Sequence, residues 1–251
     1  MHIDDFLALS QARRSVRRFK PDSVPSELLD KVLETGRWAM SGANAQPWEF
    51  VVVRDATTRA ELAQSWFEPH KEMYAFEQMR VAELRLPPLR EFATTAVFKD
   101  APVIIVVLGD RRTYQASVMG ASFLMTEGAS DAIYLKNIAN ATHNLQLASA
   151  AAGLGAMWIS VTRMWADEIK RILDIPNILE LHTLAALGYP AYTPKYAYRR
   201  PLAEITHYDK YDRAKLRSAE AIQKFIHSLR STTEKPYQQG YMPEKECPIE
   251  Y

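Results

Sequence analysis

Apolar and polar positions alternate along this chain with periods that change several times, and the changes mark the elements. Residues 3–12 read as a short helix, and 15–21 as an extended exit from it. Pro25-Ser26 opens a second helix, with Leu28, Leu29, Val32, Leu33 and Gly36 at helical spacing. Ser41-Gly42-Ala43-Asn44 is a loop of turn residues, followed by a strand over 49–54 (EFVVVR). A helix is predicted over 58–66. Residues 69–95 are amphipathic, charged and interrupted by Pro87-Pro88, and read as a surface subdomain or lid. The run 102–108 (PVIIVVL) has the continuous apolar character of a strand buried on both faces. Residues 135–152 form a long Ala-rich helix whose small side chains allow another helix close, ended by Gly153-Leu154-Gly155. A strand over 156–161, a helix over 166–173 and a strand over 183–187 follow. From Pro201 the chain turns polar and rich in Tyr and Pro, with too few periodic apolar positions for a separate domain. It is expected to wrap the body or a partner subunit. The pattern as a whole is α+β.

Composition narrows the function classes. The 251 residues are 47% apolar and 24% charged, which excludes a disordered chain. A net charge of +1 gives no bulk reason to expect nucleic acid or an acidic membrane as partner. No apolar run reaches the length of a membrane span, and MHIDDFLALSQ lacks the basic start of a secretory leader, so a cytoplasmic protein is expected. One cysteine, Cys247, excludes an internal disulfide and CxxC chemistry, and the six histidines lack ligand spacing, so no metal site is expected. There is no phosphate loop, HExxH pair or GxSxG elbow. Gly153 and Gly155 do not make a dinucleotide fingerprint. Position 158 is Trp, and the glycines follow a helix and precede a strand, the reverse of what that fingerprint needs.

Four segments carry candidate chemistry. In Arg13-Arg14-Ser15-Val16-Arg17-Arg18-Phe19-Lys20, an extended chain sends Arg13, Ser15 and Arg17 to one side and Arg14, Val16 and Arg18 to the other. Two guanidinium forks flanking a hydroxyl can grip a phosphate through paired charge-assisted bonds; a solvated basic stretch is the alternative. The segment from Trp38 to Phe50 offers Asn and Gln amides suited to a ring edge with alternating carbonyl and N–H groups, or is simply a helix–strand connection anchored by Trp48. Residues 153–162 combine glycines that permit close backbone approach with the apolar surface of Trp158 and Ile159, or are a helix cap leading into a core strand. Tyr198-Arg199-Arg200-Pro201-Leu202 is a further basic segment, or a basic loop.

Taken in order, RRSVRRF (13–19), SGANAQPWEFVVV (41–53), GLGAMWIS (153–160) and LGYP (187–190) followed by RRPL (199–202) resemble the nitroreductase superfamily of FMN enzymes, over roughly residues 5–207. The resemblance implies an α+β fold with a central mixed β-sheet flanked by helices, in an intertwined homodimer with two FMN sites at the interface. Residues 1–207 would be the FMN-binding domain with a lid insertion at about 67–96, and 208–251 a C-terminal extension. It implies that Arg13, Arg14, Ser15 and Arg17 hold the phosphate and ribityl chain, with Arg199 closing the phosphate site. Met40, Ser41, Gly42 and Asn44 would approach the flavin from the partner subunit. Trp158, Ile159 and Ser160 would line the isoalloxazine ring, with Ser160 or a nearby N–H donating to its N5. The helix over 135–152 resembles the one that packs across the dimer axis. The chain departs from the family pattern at Met40, where proline is usual.

The activity implied is hydride transfer from NAD(P)H through FMN to a nitroaromatic, quinone or similar small acceptor, donor and acceptor using one face in turn. The chemistry is the cofactor's, and the protein supplies position and electrostatics. Specialised relatives that dehalogenate, reduce enones or oxidise their substrate are the alternative, as is a non-catalytic flavin-binding protein. Glu72 and Tyr74 do not reproduce the Glu, Tyr and Lys spacing with which iodotyrosine-dehalogenating relatives grip a zwitterion.

Overall fold

The computed structural model describes residues 2–81, 85, 94–122, 129–194 and 199–230. Residues 1–191 make one compact unit and 192–251 a second. The first contains helices α1 (Ile3–Ala12), α2 (Ser26–Arg37), α3 (Ala56–Ser65), α4 (Phe67–Gln78), α5 (Arg111–Ser122), α6 (Ala129–Ala151) and α7 (Arg163–Ile172), with strands β1 (Trp48–Val53), β2 (Val103–Gly109), β3 (Gly155–Ser160) and β4 (Glu180–Gly188). The second contains α8 (Leu202–Ile205), a 3-10 turn (Arg213–Lys215) and α9 (Ala219–Arg230).

The four strands form one sheet in the order β1-β2-β4-β3, each neighbouring pair antiparallel. An isolated parallel bridge, Ser15 to Ala156, makes the sheet mixed at its β3 edge. All seven residues of β2 are buried, so its unbroken apolar run reflects a central place with both faces covered rather than parallel neighbours. Val103, Ile105 and Val107 join Ala185 and Leu187 in a core with Leu29 and Val32 of α2 and Tyr134, Ile138, Ala141 and Leu145 of α6. A Cβ on Gly36 would lie 2.7 Å from Leu145 Cδ2, so a glycine in α2 is what lets the two helices meet this closely. Trp66, Phe98 and Trp165 form a second cluster: Trp165 meets Trp66 edge-on at 4.9 Å, and α3 packs against α7.

Helix ends follow local chemistry. The Asp55 carboxylate accepts from Thr58 N at 2.8 Å and caps α3, which holds its pKa below the usual carboxylate range. Thr162 Oγ1 accepts from Trp165 N and caps α7. Gly153 takes φ 70° beyond the end of α6, while Leu154 N donates to Ser149 O and Gly153 N to Ala150 O, the paired bonds of a Schellman stop.

Several sequence expectations shift in extent. The long helix starts at Ala129 rather than 135, and β4 starts at Glu180 rather than 183. Helix α5 lies where no element was expected. The lid region begins as α4, and Pro87 and Pro88 lie outside the described residues. The polar tail contains α9, with Ile222, Phe225 and Ile226 at helical spacing.

Candidate functional site

The basic segment lies along the sheet at the end where Gly155 and Gly188 face each other in register. Val16 N donates to Ala156 O at 3.0 Å, Lys20 N to Tyr189 O at 2.8 Å, and Ala191 N to Arg18 O at 3.1 Å. A Cβ on Gly155 would stand 2.7 Å from Val16 Cβ, and one on Gly188 would stand 2.5 Å from Pro102 Cδ and 3.1 Å from Phe19 Cδ1. Gly155 is therefore the seat of Val16, and Gly188 chiefly clears Pro102, with Phe19 beside it. Val16 and Phe19 are buried, and Arg13, Arg14, Ser15, Arg17 and Arg18 are half-buried around them. The extended alternation accounts for Val16 turning away from Ser15 and Arg17.

Strand β3 continues from this seat. Its residues alternate, with Met157 and Ile159 buried and Trp158 and Ser160 exposed. Trp158 is 42% exposed, an unusual degree for a strand tryptophan, and so offers apolar surface to a ligand. Ile159 is 2% exposed, so its side chain belongs to the core and only its main chain is available to line a ring.

The loop after α2 has a strained backbone. Ala43, Asn44 and Gln46 take φ of 53°, 51° and 47°, three non-glycine residues in the left-handed region within four positions. Gly42 itself is not left-handed. It is glycine because α6 is close, a Cβ there meeting Ile133 Cγ2 at 3.2 Å. Ser41 Oγ accepts from Gln46 N at 3.1 Å, Gln46 Nε2 donates to Asn44 O at 3.2 Å, and Gly42 N donates to Asn137 Oδ1 at 3.1 Å. Met40 is 77% exposed. Ser41, Gly42 and Asn44 are thus held in one turn, as a ligand-facing loop needs.

On the outer side of α2 a groove of about 420 Å³ is lined by Asp30, Glu34, Arg37 and Gln46 among others. Glu34 is held near pKa 2 by its bonds from Arg37 and Trp38 and stays anionic, so this groove does not suit a phosphate. Arg199 belongs to the second unit, where it is exposed.

A buried polar network at the start of β4 had no sequence signal beyond scattered charges. His182 is the extra residue of a β-bulge, opposite the Val107–Leu108 step. Its Nε2 lies 3.1 Å from Tyr134 Oη and 3.6 Å from Glu180, which Arg111 grips through two nitrogens while stacking over the Tyr134 ring. Gly109 is what admits the pair, since a Cβ there would fall within 3 Å of both side chains. Burial lowers the His182 pKa against the pull of Glu180, and burial lowers that of His70, which stacks on Trp66 at 3.4 Å. Both folded values lie below the unfolded value, so the unfolded chain binds more protons below about pH 6.5. Their stabilisation is complete above that pH and is lost as pH falls from there through the folded values. Thermal melts should be flat from pH 8 to 7 and decline below 6.5. His70→Phe with His182→Gln should remove most of that decline. An equal decline in the double variant would show that other groups cause it.

The basic segment and the adjoining strand therefore bring together half-buried guanidinium groups, an exposed tryptophan and a hydroxyl, while the strained, amide-bearing loop is a separate feature held against α6. That donor set fits a phosphate-bearing planar ring such as FMN. Among the described residues no metal-binding cluster occurs, and no helix is long and apolar enough to cross a membrane. Comparison with known proteins gives the same direction. The family model described as Nitroreductase family matches residues 11–189. An NADH dehydrogenase of Thermus thermophilus is 31% identical over 77% of this chain and 90% of its own length. The 5,6-dimethylbenzimidazole synthase of Rhodospirillum rubrum is 30% identical over 74% of this chain and 82% of its own. A nitroreductase from Desulfovibrio desulfuricans solved in complex with FMN superposes with a TM-score of 0.58 at 26% identity, over 82% of this chain and 97% of that one. With the family model spanning the basic segment, the strained loop, β3 and the whole sheet, this chain belongs to the nitroreductase family.

Proposed function

We propose that this protein is an FMN-dependent oxidoreductase that takes hydride from NAD(P)H and delivers it to a nitroaromatic, quinone or similar small acceptor. The observation that carries this reading is the seating of the basic segment by Gly155, beside the exposed side chains of Trp158 and Ser160 on the same strand. An edge strand that gives up a side chain to hold an arginine-rich segment next to an exposed tryptophan is built for an anionic, flat ligand. FMN, when bound, supplies reversible two-electron hydride chemistry. The chain's own groups do the rest. Arg13, Arg14, Ser15 and Arg17 bind phosphate and ribityl oxygens. Trp158 and the main chain at Ile159 face the ring, and Ser160 is the hydroxyl available to donate a hydrogen bond there.

The same reading includes a homodimer, in which Met40, Ser41, Gly42 and Asn44 serve the partner's cofactor. Ile3, Phe6 and Leu7 of α1, which packs on α6, and Leu135 of α6 itself are exposed apolar residues that a second copy would cover.

The test is the visible spectrum of the purified protein and identification of the chromophore released on heating. A flavin spectrum with about one FMN per chain supports the reading. A colourless protein that takes up no added FMN refutes it. Arg13→Ala and Arg17→Ala should each weaken FMN binding about tenfold to 100-fold, the worth of one charge-assisted bond set. Arg171→Ala, which removes an exposed partner of Glu168 on α7, should leave it unchanged. Fluorescence titration of the cofactor-free protein checks all three. Bleaching of the flavin by NADH or NADPH under anaerobic conditions separates an enzyme from a passive flavin carrier.

A further inference from the structure

Helix α6 carries Asn137, Asn140 and Asn144 along one stripe, and all three amides reach the same neighbouring segment. Asn137 Oδ1 accepts from Gly42 N, Asn140 Nδ2 donates to Met40 O, and Asn144 Nδ2 donates to Thr35 O, each at 3.1 Å. The partners run in order from the last turn of α2 into the strained turn. Thr35 O is one of the carbonyls that a helix end leaves without an intrahelical donor, so Asn144 caps α2 from outside. Asn140 and Asn137 then take the two backbone groups just before Ala43, where the left-handed stretch begins.

This arrangement answers a question the loop poses. Left-handed φ at alanine and glutamine is unfavourable, and a chain holds it only where its surroundings over-determine it. The contacts inside the turn, Ser41 with Gln46 and Gln46 with Asn44, belong to the strained segment itself and would relax with it. The external hold on its entry is the asparagine ladder. Asn137 shows how firmly this site is specified: it is 3% exposed, and its Nδ2 is buried without a hydrogen-bond partner among the described residues. Keeping an amide there at that cost makes sense if its carbonyl oxygen is needed on Gly42 N.

We propose that Asn137 and Asn140 are positioning residues for the cofactor, clamping the 40–46 turn in the strained shape in which Ser41, Gly42 and Asn44 meet the flavin. The inference rests on the FMN reading above. The ladder does not touch the ligand; it stores the loop's shape before the ligand arrives, so that binding does not have to impose it.

Asn137→Ala and Asn140→Ala are the test, with FMN affinity, melting temperature and amide hydrogen exchange as readouts. Each variant should raise the FMN Kd about fivefold to tenfold, as expected for a lost hydrogen bond to a preorganised turn. Exchange at Gly42–Gln46 of the cofactor-free protein should speed up while the sheet stays protected. Ala43→Gly, which removes the left-handed penalty, should recover part of the affinity in the Asn137→Ala background and change little in the wild type. A ladder that only stabilises the fold would lower the melting temperature, leave Kd unchanged and gain nothing from Ala43→Gly; that result overturns the proposal. Asn140 lies at the surface, so its variant carries the test if Asn137→Ala does not fold. If the wild-type protein binds no FMN, the FMN reading fails. Exchange at 42–46 then still decides the clamp, with unchanged rates in both variants overturning it.

Discussion

Gly155→Ala should abolish tight FMN binding while leaving the sheet assembled. The added methyl would stand 2.7 Å from Cβ and Cγ2 and 2.8 Å from Cγ1 of Val16, too close for any rotamer change to relieve, because Cβ is fixed to the backbone. Either β3 or the basic segment must move. The segment is the weaker partner, since β3 pairs with β4 along its whole length while the segment meets β3 only through an isolated bridge, with Val16 N donating to Ala156 O. It should therefore lift away and carry Arg13, Ser15 and Arg17 with it. Overpacking of this kind costs about 1–3 kcal/mol of stability. The loss of two charge-assisted contacts, at about 1.5–3 kcal/mol each, corresponds to at least a 100-fold rise in the FMN Kd. Val16→Gly removes all three clashing atoms and should restore much of the affinity to the Gly155→Ala protein. Titration of the single and double variants measures the coupling, and additive effects of the two substitutions would show that the seat is not what orders the arginines.

The Val16–Gly155 contact also marks the limit of what sequence pattern can show. The arginine-rich segment, the glycine pair before β3 and the apolar strand were all legible, because each is a local signal: charge density, turn chemistry, an unbroken apolar run. Their meeting was not, since Val16 and Gly155 lie far apart in sequence and nothing in either neighbourhood names the other. The asparagine ladder was hidden for the same reason, its partners lying about a hundred residues away. The left-handed backbone at Ala43 and Gln46 had no signal at all. Sequence logic looks for such φ at glycine, and the glycine of that loop is there instead to clear Ile133. The first residues of β4 read as polar because Glu180 and His182 face Arg111 and Tyr134 in the bulged network rather than an apolar layer. Helix α5 opens with two arginines that are committed to Glu180 and Asp110, which masks its start.

The largest loss of stability should come from Trp165→Ala, far from the arginines. Trp165 is completely buried and stands at the centre of the aromatic cluster, 4.9 Å from Trp66, 5.8 Å from Phe98 and 5.9 Å from His70 between ring centroids. Its Nε1 also donates to Ser65 Oγ at 2.8 Å, tying α7 to the end of α3. Truncation removes the apolar burial, leaves a cavity that rigid neighbouring rings cannot fill, and removes the indole bond to Ser65, whose hydroxyl keeps its bond to Leu62 O. The expected cost is about 3–5 kcal/mol, comparable with much of the stability of an ordinary domain. Trp165→Phe keeps most of the volume and should cost less, the difference reporting the indole bond to Ser65 together with the remaining void. Because Trp165 packs in this cluster rather than in the core shared by α2 and α6, FMN affinity per folded molecule should be nearly unchanged in Trp165→Phe. Denaturant titration gives the first quantity and cofactor titration the second. A Trp165→Phe protein of normal stability but weakened FMN binding would mean that this cluster shapes the cofactor site and that the two cores do not divide stability from binding.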